Sequence, residues 1–255
     1  MIRDVRAVPY GRPASEALAD VVAGAKAGRA LAPVTVVVSS NLAGLSARRL
    51  LGGGAVGGQG IANVAFVTPF RMAEFLAADL LHDRRPLTNP VLGAAIRRAL
   101  AEAPGPFAEV AGHHATERAL AGLYGELSHV SEATLDALEG AGWPATAAVA
   151  VYRRIAAQLG GFHGEDDVAR AAAGRPDLVQ ALVPFGHVVW YLPEPLTPAL
   201  GGLVRAVLAA ADASVIVGVT GAPDADEPVL AACQRAGIEV PADDVAAVSA
   251  PLGSH

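Results

Sequence analysis

Five consecutive β-branched residues, Val34-Thr35-Val36-Val37-Val38, form an uninterrupted apolar run that predicts a strand buried on both faces. Ahead of it, Ile2 to Pro9 alternates apolar and charged positions as a short strand does. Tyr10-Gly11-Arg12-Pro13 then reads as a turn, and Ser15 to Ala27 as a helix closed near Gly28. After the central run, Ser40 or Asn41 is an N-cap for a helix through Leu51. The glycine-rich stretch Gly52 to Gly60 predicts a mobile loop. Ile61 to Thr68 predicts a third strand, followed by a helix from Pro69 to about Leu81.

The texture then changes. Helical spacing predicts helices at 90–102, 114–127, 131–140, 144–159, 165–174 and 176–183, with turns at Pro104-Gly105-Pro106, Gly140 and Gly160-Gly161. Strand signals return at His187 to Leu192 and Ala213 to Val219, joined by a helix over 197–210, and the residues from Pro241 on read as a polar, truncated tail. Strands alternating with helices imply a parallel sheet. The expected organisation is an α/β domain over 1–82 and 184–240, a helical insertion over 83–183, and a tail over 241–255.

Composition narrows the function. The hydrophobic fraction of 53% excludes a disordered chain. No apolar run reaches the roughly 18–20 residues of a membrane span, and the N-terminus lacks a secretory signal. Cys233, the single cysteine, rules out an internal disulfide and fits a cytoplasmic setting. The net charge of −6 counts against strong independent DNA affinity. Lys26 is the only lysine among 19 basic residues.

That skew bears on phosphate chemistry. Gly11 to Leu18 occupies the place of a Walker A loop, which needs G-x-x-x-x-G-K-[ST] to wrap phosphates, contact them with Lys and hold Mg²⁺. Gly11 is retained, but Glu16 replaces the second glycine, Ala17 the lysine and Leu18 the hydroxyl. Leu192-Pro193 stands where a Walker B strand would end in Asp-Glu, and Val219 stands in a sensor turn. Gly52-Gly53-Gly54-Ala55-Val56-Gly57 matches a dinucleotide fingerprint only on paper, because it follows a helix and precedes a strand. His113-His114 with Glu117 lacks a third ligand at metal spacing and reads as an exposed helix start. Glu165-Asp166-Asp167 opens a helix, where carboxylates favour the dipole.

The order of elements resembles the first RecA-like domain of superfamily 1 helicases. It is most similar to the N-terminal part of AddB-type and actinobacterial RecB-like helicase–nuclease proteins. Val34 to Asn41 with Ala47-Arg48-Arg49-Leu50 resembles a helicase block that touches single-stranded DNA, and Ala65 to Thr68 with Arg71 to Glu74 resembles the next. The resemblance implies a P-loop NTPase (RecA-like) parallel sheet carrying a long helical insertion. It implies an inactive ATP site at Gly11, Glu16, Ala17, Leu18, Leu192 and Pro193, with no catalytic residue, metal or cofactor in this segment. Ser39, Ser40, Asn41, Arg48, Arg49, Thr68 and Arg71 are the DNA-contact candidates it supplies. The expected partner is weakly bound single-stranded DNA or a helicase or nuclease subunit or domain. Any PD-(D/E)XK nuclease site would lie beyond residue 255, since such a site needs a lysine beside paired carboxylates. Two other readings stay open: a purely structural or interaction domain within a larger nuclease polypeptide, and an α/β enzyme with a non-standard nucleotide loop.

Overall fold

The computed structural model describes residues 2–55 and 62–249. In chain order the elements are β1 (Ile2–Pro9), α1 (Arg12–Lys26), β2 (Val34–Val37), α2 (Asn41–Leu50), β3 (Val64–Val67) and α3 (Pro69–Ala77). There follow β4 (Arg85–Pro86), α4 (Asn89–Glu102), α5 (His114–Ser128), α6 (Glu132–Glu139), α7 (Ala145–Gln158), β5 (Phe162–His163), α8 (Glu165–Ala173) and α9 (Leu178–Leu182). The last are β6 (His187–Tyr191), α10 (Pro198–Ala210), β7 (Ala213–Val219), α11 (Pro223–Arg235) and α12 (Ala242–Ser249).

The fold is α/β. Five parallel strands form the central sheet in the order β1-β7-β6-β2-β3. All four residues of β2 are buried, as its unbroken β-branched run requires, and so is every residue of β7. Leu18 and Val22 of α1, Ala47 of α2 and Leu51 just after it pack on Val34, Val36, Val189 and Ile216 of the sheet. Thr35, Val37, Val188 and Trp190 alternate to the other face, where right-handed crossovers place α3, α9 and α10, which pack together.

The chain divides into two compact units, residues 1–78 with 169–255, and residues 79–168. In the second, Ile96, Leu100, Leu120, Val151 and Ile155 form one core cluster, and Leu127, Leu135 and Val149 another. Its two ends meet where β4 pairs with β5 in parallel.

Several expectations change. Residues 169–183, expected in the helical insertion, belong to the unit that holds the sheet: α9 packs on α3 and α10, and Arg175 Nη1 donates to Leu76 O at 2.8 Å. The glycine-rich stretch begins as a π-helical continuation of α2 over Leu51–Ala55, anchored by fully buried Leu51, while 56–60 and Ile61 lie outside the described residues. The third helix ends at Ala77 rather than Leu81, and Leu80 is exposed. The supposed polar tail contains α12, which packs along β1 and whose Asp244 accepts a hydrogen bond from the Ala7 amide at 3.2 Å. Residues 250–255 lie outside the described residues.

Candidate functional site

In a parallel sheet every strand ends at the same edge, so strand order decides which turns are neighbours. Adjacent β1, β7 and β6 bring together the turns carrying Gly11 to Leu18, Val219 to Gly221 and Leu192-Pro193. The three positions set against nucleotide-binding patterns in the sequence therefore share one patch.

Side chains occupy this patch. Between Pro9 and Arg12 only Tyr10 and Gly11 connect strand to helix, because Pro13 can sit in the first turn of α1. Gly11 takes φ +84° to make that turn. Ala17 and Leu18, compared in the sequence with the lysine and hydroxyl of a Walker A loop, lie in the second turn of α1 and pack into the core. Glu16 is exposed and accepts from Arg12 Nε at 2.7 Å, while the Ser15 hydroxyl donates to Gly11 O at 3.0 Å.

Tyr10 lies over the end of β7 so closely that a Cβ on Gly218 would stand 2.5 Å from its ring and 2.9 Å from Leu192. Burial, and then the charges of Asp226 and Glu194, push the Tyr10 phenol up. Beneath it, buried Asp226 ties the turn after β7. Its carboxylate accepts from Thr220 N (2.7 Å), Thr220 Oγ1 (2.8 Å) and Gly221 N (2.9 Å). Cys233 is buried, and desolvation raises its thiol from 9.0 to about 11, the opposite of an activated nucleophile. Lys26 sits at the far end of α1, donating to the carbonyls of Ala30, Ala32 and Ala62 at 3.0, 2.8 and 2.7 Å. Its ammonium closes a loop away from the patch.

A crevice opens beside the patch. The chain leaves β2 for β3 in one direction and β6 for β7 in the other, and the reversal between β2 and β6 is where open α/β sheets hold ligands. The cavity there is about 340 Å³, lined by Ser39 after β2, Thr68 and Phe70 at the start of α3, Trp190 of β6, and Pro193 through Leu196. Three helices begin around it. Ser40, Thr68 and Thr197 cap α2, α3 and α10, their hydroxyls accepting from Ala43, Arg71 and Leu200 amides at 3.2, 3.2 and 3.4 Å.

Of the DNA-contact candidates, Ser39 and Thr68 meet in this crevice. Asn41 is exposed in the first turn of α2. Arg71 follows Phe70 in the first turn of α3, paired with Glu74 at 3.0 Å and stacked 4.5 Å from the Phe75 ring centroid. Arg48 and Arg49 lie in the last turn of α2, about 12 Å along the helix from its cap. Arg48 stacks over Phe66 at 5.4 Å, and Arg49 is exposed.

Elsewhere the polar clusters noted in the sequence have structural partners. Glu117 accepts from Arg97 at 2.9 Å. Asp166 meets His129 Nδ1 at 2.6 Å, and Asp167 accepts from Gly164 N at 2.9 Å and Arg84 Nη2 at 3.1 Å.

Sequence reasoning missed Tyr10, Asp226 and the crevice walls Phe70, Trp190 and Leu196. No protein-family model matches this chain, and no curated protein sequence matches it at a significant level.

Proposed function

We propose that the chain is a helicase-like module of a DNA-end-processing helicase–nuclease, with a RecA-like P-loop ancestry and no ATP hydrolysis of its own. It holds single-stranded DNA weakly at the carboxyl edge of its sheet. The observation that carries this reading is the adjacency of the three turns with degenerate nucleotide motifs, where Tyr10, Leu192 and the Arg12–Glu16 pair stand in place of a phosphate cradle. A phosphate loop needs backbone amides open around an anion and a lysine aimed at it. Here the helix starts one residue past Gly11, and Lys26 is committed to carbonyls. The same edge carries the Ser39–Thr68 crevice with Arg71 beside it, which supports the DNA-holding reading.

Anisotropy of a fluorescent single-stranded oligonucleotide against salt tests this. If Arg48, Arg49 and Arg71 each neutralise one phosphate, the logarithm of affinity falls against the logarithm of salt with a slope of about −2. Replacing all three by Ala flattens that slope, and Mg-ATP leaves the melting temperature unchanged. Absence of binding at low salt, or a melting shift with Mg-ATP, overturns the reading.

One observation favours an interaction module instead. Leu230, Ala231, Ile238, Val240 and Val245 line an apolar groove of about 900 Å³ between α11 and α12, in a chain of net charge −6. Loss of DNA binding alongside capture of a helicase or nuclease domain would select that reading.

A further inference from the structure

The net charge of the chain is gathered in one place. Residues 220–249 hold six of the 25 carboxylates and only one of the 19 basic residues, Arg235, and so carry five of the six net negative charges. This segment forms α11 and α12, the walls of the apolar groove of about 900 Å³. Acidic charge and apolar surface therefore coincide.

The shape of the groove selects a helix. Glu227, Leu230, Ala231 and Gln234 line it from α11, and Ala242, Val245 and Ala246 from α12. Spacings of three and four put one stripe of each helix on the groove. Two such stripes with apolar space between them fit a third, amphipathic helix anchored at positions i, i+3, i+4 and i+7. The lining of α11 from Pro223 to Gln234 runs about 17 Å, or roughly three turns.

The charge selects which helix. Asp224, Glu227 and Glu239 stand exposed on the groove, and among the described residues none of them is ion-paired. Asp226, by contrast, is committed to Thr220 and Gly221. Open carboxylates beside an apolar floor repel nucleic acid and anionic lipid and attract lysine and arginine. A second copy docked by a two-fold axis would set the same acidic rim against itself. We infer that the groove docks a basic amphipathic helix of a partner protein, its apolar stripe on Leu230, Val240 and Val245 and its cations toward the three carboxylates. The inference rests on the groove being an interaction surface and stands whether or not the chain also holds DNA.

Three fluorescent peptides of about 18 residues, long enough to form isolated helices, test this on the full chain. The first carries Leu at helical spacing and Lys on the other face, and the second has Glu for Lys. The third shuffles the first so that its Leu stripe is broken. The Lys peptide is expected to bind about tenfold more tightly than either of the others. Glu227→Lys with Glu239→Lys alters exposed side chains only, and shifts the preference toward the Glu peptide. Ala246→Arg, also exposed, sets a long cation in the groove and lowers Lys-peptide affinity about tenfold. Binding of none of the peptides, equal binding of the Lys peptide and its shuffled form, or a preference unmoved by these variants overturns the inference. A dimer that Ala246→Arg dissociates would give the groove to a second copy, and overturns it too. Oligonucleotide binding by the same variants reads the DNA-holding proposal separately: its absence, with peptide selectivity intact, overturns that proposal alone.

Discussion

Two glycines near the candidate site meet different kinds of neighbour, and their replacement separates side-chain crowding from backbone collision. A Cβ on Gly218 would meet the ring of Tyr10 and the end of Leu192. Tyr10 is 48% exposed and can swing outward, so Gly218→Ala costs about 1–2 kcal/mol. Much of that loss disappears in the double variant with Tyr10→Ala, because the ring atoms are gone and only the end of the Leu192 side chain has to shift. A Cβ on Gly186 would stand 2.0 Å from the Pro33 carbonyl oxygen, at φ +65°. Neither the backbone contact nor the left-handed conformation yields to a side-chain change, so Gly186→Ala costs about 3 kcal/mol or more. Denaturant midpoints measure both, and equal losses at the two sites would refute the distinction. None of this was legible in the sequence. Gly218 sits inside an apolar run and reads as a strand residue, and its meaning depends on a tyrosine from the opposite end of the chain. The departure of Glu16, Ala17 and Leu18 from a phosphate-loop pattern, by contrast, is a sequence comparison, because it sets three residues against a fixed spacing of required residue types.

Elements were read most accurately where local chemistry defines their ends. The helix expected over 90–102 is Asn89–Glu102, and that over 197–210 is Pro198–Ala210, each with Pro in its first turn. Misreadings occur where local signals conflict. α11 contains Pro228, and α12 opens with Asp243 and Asp244, which read as tail-like polarity but favour a helix N-terminus. β4 and β5 have two residues each, too short for a period-two pattern. The crevice was invisible for a related reason: residues 39, 68 and 190 have no common spacing until β2, β3 and β6 align. Caps around that crevice differ measurably from one elsewhere. Thr68 and Thr197 accept from first-turn amides, while Thr88, before α4, makes no such bond. Thr68→Ala and Thr197→Ala are each expected to cost about 1 kcal/mol, with Thr68→Ser retaining most of it. Thr88→Ala should stay within about 0.5 kcal/mol. A Thr88 effect equal to that at Thr68 would show that propensity, not the capping bond, sets the difference.

At the scale of the whole molecule, the sequence pattern located a change of texture from strand-helix alternation to helices alone, but it set the return of the sheet-bearing unit too late. Local periodicity cannot tell a helix of one core from a helix of another. α9 is as helical as its predecessors, and its partners α3 and α10 decide where it belongs. The unit over 79–168 has two apolar clusters of its own and closes its ends on each other. At that closure Arg85 N donates to Gly161 O at 3.0 Å and Leu87 N to His163 O at 2.9 Å. The Arg84 guanidinium also binds the Phe162 carbonyl and Asp167. A segment whose ends are joined by its own strand pair gains little from the chain on either side, because loop closure is already satisfied within it. The excised 79–168 fragment is therefore expected to be helical by circular dichroism and to melt in one cooperative transition. Arg84→Ala removes a charged donor from a half-buried carboxylate and a carbonyl, and should lower the fragment's stability by about 1–3 kcal/mol. A broad, non-cooperative melt would mean that the unit depends on the sheet-bearing part of the chain. A cooperative melt unmoved by Arg84→Ala would place its stability in the Ile96–Leu120–Ile155 cluster and not in the closure of its ends.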